Sequence, residues 1–187
     1  MSQEDDSSDT YRVDVKSILD SLGESIEVRD VLRLDVLEVG DGRFVVREPI
    51  RFEVRMVNTG TGIVGMGTVV APVVATCARC LCEFPTDITA QVDGFYVEAG
   101  KNADLPEEQV AELLDADGYV DIRPSLISAL VLEAPFAPLH DEECAGMCVE
   151  CGTDLNTGSC TCGDAPDRDN PFASLGSLLT NRDSDPE

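Results

Sequence analysis

The sequence has no tryptophan and only one histidine, and aromatic residues make up 5% of its 187 residues. A core built from this chain must therefore rest on Val, Leu, Ile and Ala. The single histidine, His140, excludes an HExxH zinc-protease site, and a Ser-His-Asp triad would have to use His140 itself. The sequence also contains no GxGxxG or phosphate-loop pattern. These absences argue against the common catalytic classes.

Basic residues are scarce as well. The chain has 13 Lys and Arg against 37 Asp and Glu, which gives a net charge of −24, and residues 102–187 alone carry 19 acidic and 3 basic residues. This argues against attraction of the whole surface to nucleic acid or to an anionic membrane, and it suits either a basic partner or simply a very soluble protein. One exception is a series of arginines with the parity of a single strand face: Arg43, Arg47, Arg51 and Arg55. It leaves direct RNA contact open, beside cross-strand pairing with acidic residues.

Long apolar runs are missing too. No run approaches the ~20 residues that a membrane span needs, so we expect no membrane association. The first ten residues, MSQEDDSSDT, are polar and acidic, which is not typical of a secretory signal or an organellar transit peptide. We therefore expect a cytoplasmic protein. In that compartment reduced cysteines are more often metal ligands than disulfides.

Five of the eight cysteines lie in residues 139–163, together with His140. A Cys-x-x-Cys-Gly turn is followed there, after a short polar loop, by a Cys-x-Cys pair, and these four cysteines are Cys148, Cys151, Cys160 and Cys162. The glycine can take the positive φ that bends the chain back, so that two thiolates reach one metal ion. The spacing predicts a tetrahedral zinc site. The alternative is a set of disulfides in a secreted protein, which no signal peptide supports.

The remaining cysteines and the histidine indicate a second tetrahedral zinc site, formed by Cys77, Cys80, His140 and Cys144. Whether one or two zinc ions bind stays open, and Cys82 is either a substitute ligand or an ordinary buried thiol. A thioredoxin-type redox pair at Cys77 and Cys80 is the alternative, and it would need a helix N-terminus directly after a strand. Closed zinc sites leave no position for a catalytic water. We therefore expect neither enzymatic activity nor a small-molecule substrate.

Hydrophobic periodicity predicts an α+β fold, with an antiparallel β-sheet or partial barrel, a few short helices and a C-terminal, zinc-ribbon-like Cys-rich segment. The predicted strands cover residues 11–15, 28–39, 50–57, 63–76, 86–97 and 119–122, and the predicted helices lie near 107–114 and 124–132. The predicted domains are a disordered acidic tail over 1–10, a β-rich body over 11–138, the Cys-rich segment over 139–163, and an acidic tail over 164–187 with a short helix near 172–179.

Three stretches of the sequence resemble the YceD family. They are TCARCLCEF at 76–84, PLHDEECAGMCVECGTDLNTGSCTC at 138–162 and NPFASLGSLL at 170–179. The resemblance extends over roughly residues 11–179, and members of this family are described as large ribosomal RNA subunit accumulation proteins. It implies an α+β fold dominated by antiparallel strands, in a bacterial cytoplasmic factor needed for 23S rRNA accumulation. The last stretch lacks the basic residues that such tails often carry.

We therefore expect a non-enzymatic factor that supports 23S rRNA accumulation and large ribosomal subunit assembly. The expected partner is a basic ribosomal protein or a pre-ribosomal particle. Two alternatives remain at this stage. One is a zinc-ribbon protein-interaction module, such as a transcription accessory factor, and the other is a Cys-x-x-Cys thiol redox protein.

Overall fold

The computed structural model describes residues 11–40, 42–98 and 111–162. The described residues fall into two compact units, the first made of residues 11–78 and 82–140 and the second of residues 79–81 and 141–162. Two predictions lie outside the described residues, namely the disordered tail over 1–10 and the helix near 172–179.

The first unit is mainly β-sheet. Its elements, in chain order, are β1 Arg12–Asp14, α1 Lys16–Leu19, β2 Ser25–Leu32, β3 Val36–Val39, β4 Gly42–Val46, β5 Ile50–Asn58, β6 Ile63–Thr76, β7 Glu83–Val97, β8 Glu112–Leu113, β9 Tyr119–Asp121 and α2 Arg123–Glu133. Strands β2 to β8 form one sheet, and β1 and β9 form a separate antiparallel pair.

Strand β6 is the centre of the large sheet. It pairs with β7 along its whole length, from Ile63 opposite Tyr96 to Thr76 opposite Glu83. Because a strand has two edges, β5 and β4 share the other one: β5 pairs with residues 63–70 and β4 with residues 73–74. Pro72, which has no N–H to donate, lies where the partner changes. Strand β5 continues to β2 and β4 to β3, so within the described residues the sheet branches and does not close into a barrel.

Two local predictions are wrong. The predicted strand over 28–39 is broken at residues 33–35, because its first part pairs with β5 and its second part turns to pair with β4. The predicted helix near 107–114 falls partly outside the described residues, and Glu112 and Leu113 form a strand that pairs in parallel with the end of β7. The sheet is therefore mostly, and not wholly, antiparallel. The backbone N–H and carbonyl groups of this short segment find hydrogen-bond partners at the edge of the sheet instead of within a helix.

The core of the first unit is aliphatic, as the composition predicts. Strand β5 shows the alternation clearly, since Ile50, Phe52, Val54 and Met56 are buried while the residues between them point to solvent. Helix α2 spans the position where the sequence predicts a helix over 124–132, and it begins with a proline in its first turn. It packs mainly against β7, and its Leu126 and Leu130 are fully buried.

A short polar chain links α2 to the sheet. The hydroxyl groups of Tyr96 and Ser125 lie 2.8 Å apart, and the Ser125 hydroxyl donates to the Glu112 carboxylate over 3.1 Å. Burial raises the pKa of Tyr96 to about 12. Burial also raises the pKa of Glu112, reinforced by the negative charge of Asp121 and only partly offset by the hydrogen bond from Ser125. The Glu112 carboxylate is therefore less stable in the folded protein than in water.

The raised pKa of Glu112 predicts that Glu112→Gln stabilises the folded protein, and that the size of this stabilisation depends on pH. The protonated acid favours folding below its ordinary pKa, and this contribution is lost as pH rises through the raised folded-state value. Glutamine keeps an acceptor oxygen for Ser125 and carries no charge. At pH 7 the variant should unfold about 1–3 °C higher than the wild type in a thermal scan, and the difference should shrink near pH 4. Glu24→Gln, at an exposed carboxylate, is the control. An equal rise in unfolding temperature in both variants, or a rise in Glu112→Gln that does not depend on pH, would contradict this prediction.

Candidate metal centre

The second unit is built around the turn from Cys148 to Gly152. The Gly152 N–H donates to the Cys148 carbonyl over 2.9 Å, and the Cys148 N–H donates to the Thr153 carbonyl over 2.8 Å. Gly152 has a φ of +72° and nothing within 4 Å of the position that a Cβ would take. Glycine is thus favoured here by its backbone conformation and not by lack of space. The turn places Cys148 and Cys151 on the same side of the chain.

The loop after this turn brings the chain back to the same place. Met147 and Asp154 form an antiparallel bridge, the Leu155 N–H donates to the Gly146 carbonyl, and the Gly158 N–H donates to the Asp154 carbonyl. Each of the two hydrogen bonds is 2.9 Å long. As a result the chain presents four sulfur atoms that all lie within 4.8 Å of one another, those of Cys148, Cys151, Cys160 and Cys162.

This group, called here the Cys148 group, fits a tetrahedral metal ion. Four sulfurs each ~2.3 Å from a zinc ion are roughly 3.8 Å apart, so the observed spread requires only small adjustments. A second group shows the same closeness of one ligand atom from each residue. It is called here the Cys144 group and consists of Cys77, Cys80, His140 and Cys144. Both groups could hold metal ions, and each offers four ligands.

The thiols of the Cys148 group differ strongly in acidity. Hydrogen bonds from the Thr153 hydroxyl, whose oxygen lies 3.1 Å from Cys151 Sγ, and from the Thr153 backbone lower the pKa of Cys151 to about 6. The hydrogen bond to Cys151, together with burial and the nearby negative charge, raises the pKa of Cys162 to about 12. The backbone amide of Cys162 lowers the pKa of Cys160, but its hydrogen bond to Cys148 and burial outweigh this, so the net shift is upward. Four thiolates this close need a cation to be charged together.

The Cys144 group contains a second Cys-x-x-Cys turn, which lies between β6 and β7. The Cys77 N–H donates to the Cys82 carbonyl over 2.8 Å, and His140 Nδ1 lies 3.4 Å from Cys77 Sγ. The residue after this turn is Leu81, whose φ of +61° is the only positive value at a non-glycine position in the part of the chain that the structure describes. Leu81 therefore occupies the place that Gly152 takes in the other turn. The two turns share one backbone geometry, although only one of them has the glycine that this geometry favours.

Cys82 belongs to neither group. It is exposed, and within the described residues the structure brings no third set of metal-ligating side chains around it. Its carbonyl still helps to close the turn at Cys77. The Cys77 turn also does not have the setting of a thioredoxin-type pair, because it connects two antiparallel strands and does not begin a helix.

Three further residues support the sulfur ligands, and spacing alone does not single them out. Thr153 contacts Cys151 Sγ, as described above, and Asn156 Nδ2 lies 3.5 Å from Cys144 Sγ. The Arg79 guanidinium donates to the Glu142 and Cys144 carbonyl oxygens, each over 3.0 Å. The signal was present in the sequence, since Thr153, Asn156 and Arg79 all lie inside the stretches that resemble the YceD family.

The arginine series does not form one strand face. Arg43 lies in β4, whereas Arg51 and Arg55 lie in β5, and the two strands meet β6 at different places along its edge. Arg55 donates to the Ser25 hydroxyl over 3.0 Å, and Arg51 lies 3.9 Å from the Glu48 carboxylate. The exposed face of β5 is thus a mixture of charges and not a basic stripe.

The geometry predicts which cysteine changes release metal. Cys148→Ser should remove about one metal ion per chain from the Cys148 group, because serine is a poor ligand for zinc. For the same reason Cys77→Ser should remove about one metal ion per chain from the Cys144 group. Elemental analysis of the protein purified without chelator would measure this. Cys82→Ser is the matched control and should keep the full metal content. Unchanged zinc in both ligand variants would show that the ligands are misassigned.

None of the helices in the described residues is long and apolar enough to cross a membrane. No solved structure matches the chain significantly. An uncharacterized protein of Mycobacterium leprae, ML1660, is 32% identical over 107 residues, which cover 57% of this chain and 49% of the relative. The uncharacterized proteins Mb2951c of Mycobacterium bovis and Rv2926c of Mycobacterium tuberculosis are each 30% identical over 105 residues, which cover 55% of this chain and 50% of theirs.

The chain thus spans about half the length of the curated relatives it matches. A family model also matches this chain. Residues 66–179, more than half of the chain and including both cysteine groups, match the family described as "Large ribosomal RNA subunit accumulation protein YceD". The chain belongs to the YceD family.

Proposed function

We propose that this protein is a non-enzymatic factor that supports 23S rRNA accumulation and large ribosomal subunit assembly. The observation that carries the proposal is the family match over residues 66–179, which indicates a role in the accumulation of large-subunit rRNA. The mechanism proposed here is that bound zinc fixes the second unit, and that this unit engages a basic ribosomal protein or a pre-ribosomal particle in the cytoplasm.

Zinc is the metal that the donor atoms favour. One group offers four thiolates and the other three thiolates and an imidazole, and both sets are typical of structural zinc sites. When bound, the metal would neutralise thiolates that otherwise repel one another, and it would close the two turns. Since protein ligands would fill all four positions, no position would remain for a substrate or a reactive water. This supports a structural role for the metal and a function without catalysis.

The charge of the second unit supports a basic partner. Its described residues include one arginine, Arg79, and five acidic residues: Asp141, Glu142, Glu143, Glu150 and Asp154. A zinc ion with four thiolates carries a formal charge of −2, and one with three thiolates and a neutral histidine carries −1, so metal binding would leave the unit acidic. Phosphate groups of RNA would be repelled by this surface. We therefore favour a protein partner over direct RNA contact.

A depletion experiment tests the cellular role. Loss of the protein from the cell that encodes it should lower 23S rRNA relative to 16S rRNA, because unassembled large-subunit rRNA is degraded. Wild-type protein and Cys82→Ser should restore the ratio, whereas Cys148→Ser should restore it only in part, since its second unit is loosened. Quantification of both rRNAs measures this. An unchanged ratio after depletion would sink the proposal, and equal rescue by all three proteins would sink the role of zinc in it.

A capture experiment tests the partner. The immobilised full-length protein should retain a basic ribosomal protein from cell extract, and raising salt from about 50 to about 300 mM should weaken retention by roughly tenfold or more, because exposed charges are screened. Glu142→Gln/Glu143→Gln, at exposed positions of the second unit, should weaken it further. Glu83→Gln/Glu133→Gln, at exposed positions of the first unit, is the control of equal charge. Recovery of RNA polymerase instead would favour a transcription accessory factor.

A further inference from the structure

Asn156 lies in the loop between Cys151 and Cys160, and its side chain makes three polar contacts within the second unit. Its Oδ1 accepts from the Ala145 N–H over 2.8 Å, and its Nδ2 donates to the Asp154 carboxylate over 2.7 Å and to Cys144 Sγ over 3.5 Å. The orientation of the amide follows from these partners. The Ala145 N–H can only donate, so it must face the oxygen, which leaves the amide N–H groups for the carboxylate and the sulfur.

Cys144 Sγ needs such a donor. The side chain is buried, with 4% of its surface exposed, and a buried thiolate is costly unless a cation or hydrogen-bond donors compensate its charge. Donors that contact a ligand atom also hold it in the orientation that the metal requires. Among the described residues, Asn156 supplies a side-chain donor to this sulfur from a loop that carries no ligand of the Cys144 group.

The position of Asn156 depends on the other group. Its loop begins at Cys151 and ends at Cys160, so both ends of the loop are ligands of the Cys148 group. The hydrogen bonds between Cys148 and Thr153 and between Gly158 and Asp154 fix the loop on either side of Asn156. Closing the Cys148 group around a metal ion would therefore order the segment that carries the donor for Cys144.

We propose that Asn156 is a positioning residue that couples the two metal groups. Metal binding by the Cys148 group fixes the loop, and the loop then presents an N–H donor to the Cys144 thiolate of the other group. Because coupling between two sites is reciprocal, metal in the Cys144 group also favours metal in the Cys148 group. This inference rests on the proposed zinc binding, and it adds positive cooperativity between the two sites.

The test is a Co²⁺ titration of the full-length protein. The visible absorption of Co²⁺ depends on the number of thiolate ligands, so it separates the four-thiolate group from the group that contains His140. Asn156→Ala should weaken metal binding in the Cys144 group by about 10- to 100-fold, the usual effect of removing a partner of a ligand. The affinity of the Cys148 group should change within roughly twofold while the other group is empty. Thr157→Ala, in the same loop, removes a hydroxyl that lies 3.4 Å from the Asp154 carboxylate and should change neither affinity.

Two further variants distinguish coupling from a general loss of structure. Asn156→Asp keeps an oxygen for the Ala145 N–H but removes the donor to Cys144 Sγ, so it should lose at least as much affinity as Asn156→Ala. Cys148→Ser, which removes the first metal, should weaken the Cys144 group by a similar factor, and adding Asn156→Ala to it should have little further effect, because both changes break the same connection.

Several outcomes would overturn the proposal. A loss at the Cys148 group as large as that at the Cys144 group on Asn156→Ala, measured while the Cys144 group is empty, would show that the side chain only supports the loop, which carries the Cys148 group as well. Full affinity in Asn156→Asp would assign its role to the Ala145 contact. Additive losses in the double variant would remove the coupling. A wild-type chain that binds no Co²⁺ or Zn²⁺ would overturn the zinc sites themselves, a result distinct from the other three.

Discussion

The mutual repulsion of closely spaced thiolates is the constraint on which the second unit depends. Four sulfur atoms within 4.8 Å of one another cannot all be charged without a cation, and the hydrogen bond to Cys151, burial and the nearby negative charge accordingly raise the pKa of Cys162. The unit contains few buried hydrophobic side chains that could hold it together by other means. A structural metal ion, whose binding can contribute on the order of 10 kcal/mol to a small fold, would replace the missing core.

The first unit obeys a different constraint, which is the burial of aliphatic side chains on one face of a branched sheet. Its long central strand accepts two partners on one edge, and Pro72 lies at the point where one ladder gives way to the next. Helix α2 then covers the apolar face through Leu126 and Leu130. The stability of this sheet therefore rests on aliphatic burial.

Most of the strands and both groups of metal-ligating residues could be predicted from the sequence, because the patterns that indicate them are local. Alternating apolar residues predicted β5 and β7, and a valine-rich run predicted β6. Cysteine spacing divided the candidate ligands into the same two sets of four that the structure brings together. What could not be predicted depends on distant partners. The break between β2 and β3 reflects their separate pairing, and the strand at Glu112 exists only because the end of β7 offers an edge. The contact of Asn156 with Cys144 likewise joins residues that no periodicity relates.

The positive φ of Leu81 places backbone strain directly after the turn that carries two residues of the Cys144 group. A leucine in this conformation costs about 1–2 kcal/mol relative to its usual backbone, whereas Gly152 adopts the same conformation at little cost. This strained backbone conformation of Leu81 persists only if interactions of the surrounding groups hold the turn in place. The Cys77 turn is closed by its own backbone hydrogen bond, and the cysteines at its two ends both belong to the Cys144 group. If zinc provides that additional hold, the turn with leucine depends on the metal more strongly than the turn with glycine does. The Cys144 group should then be the first to lose its geometry when metal is scarce.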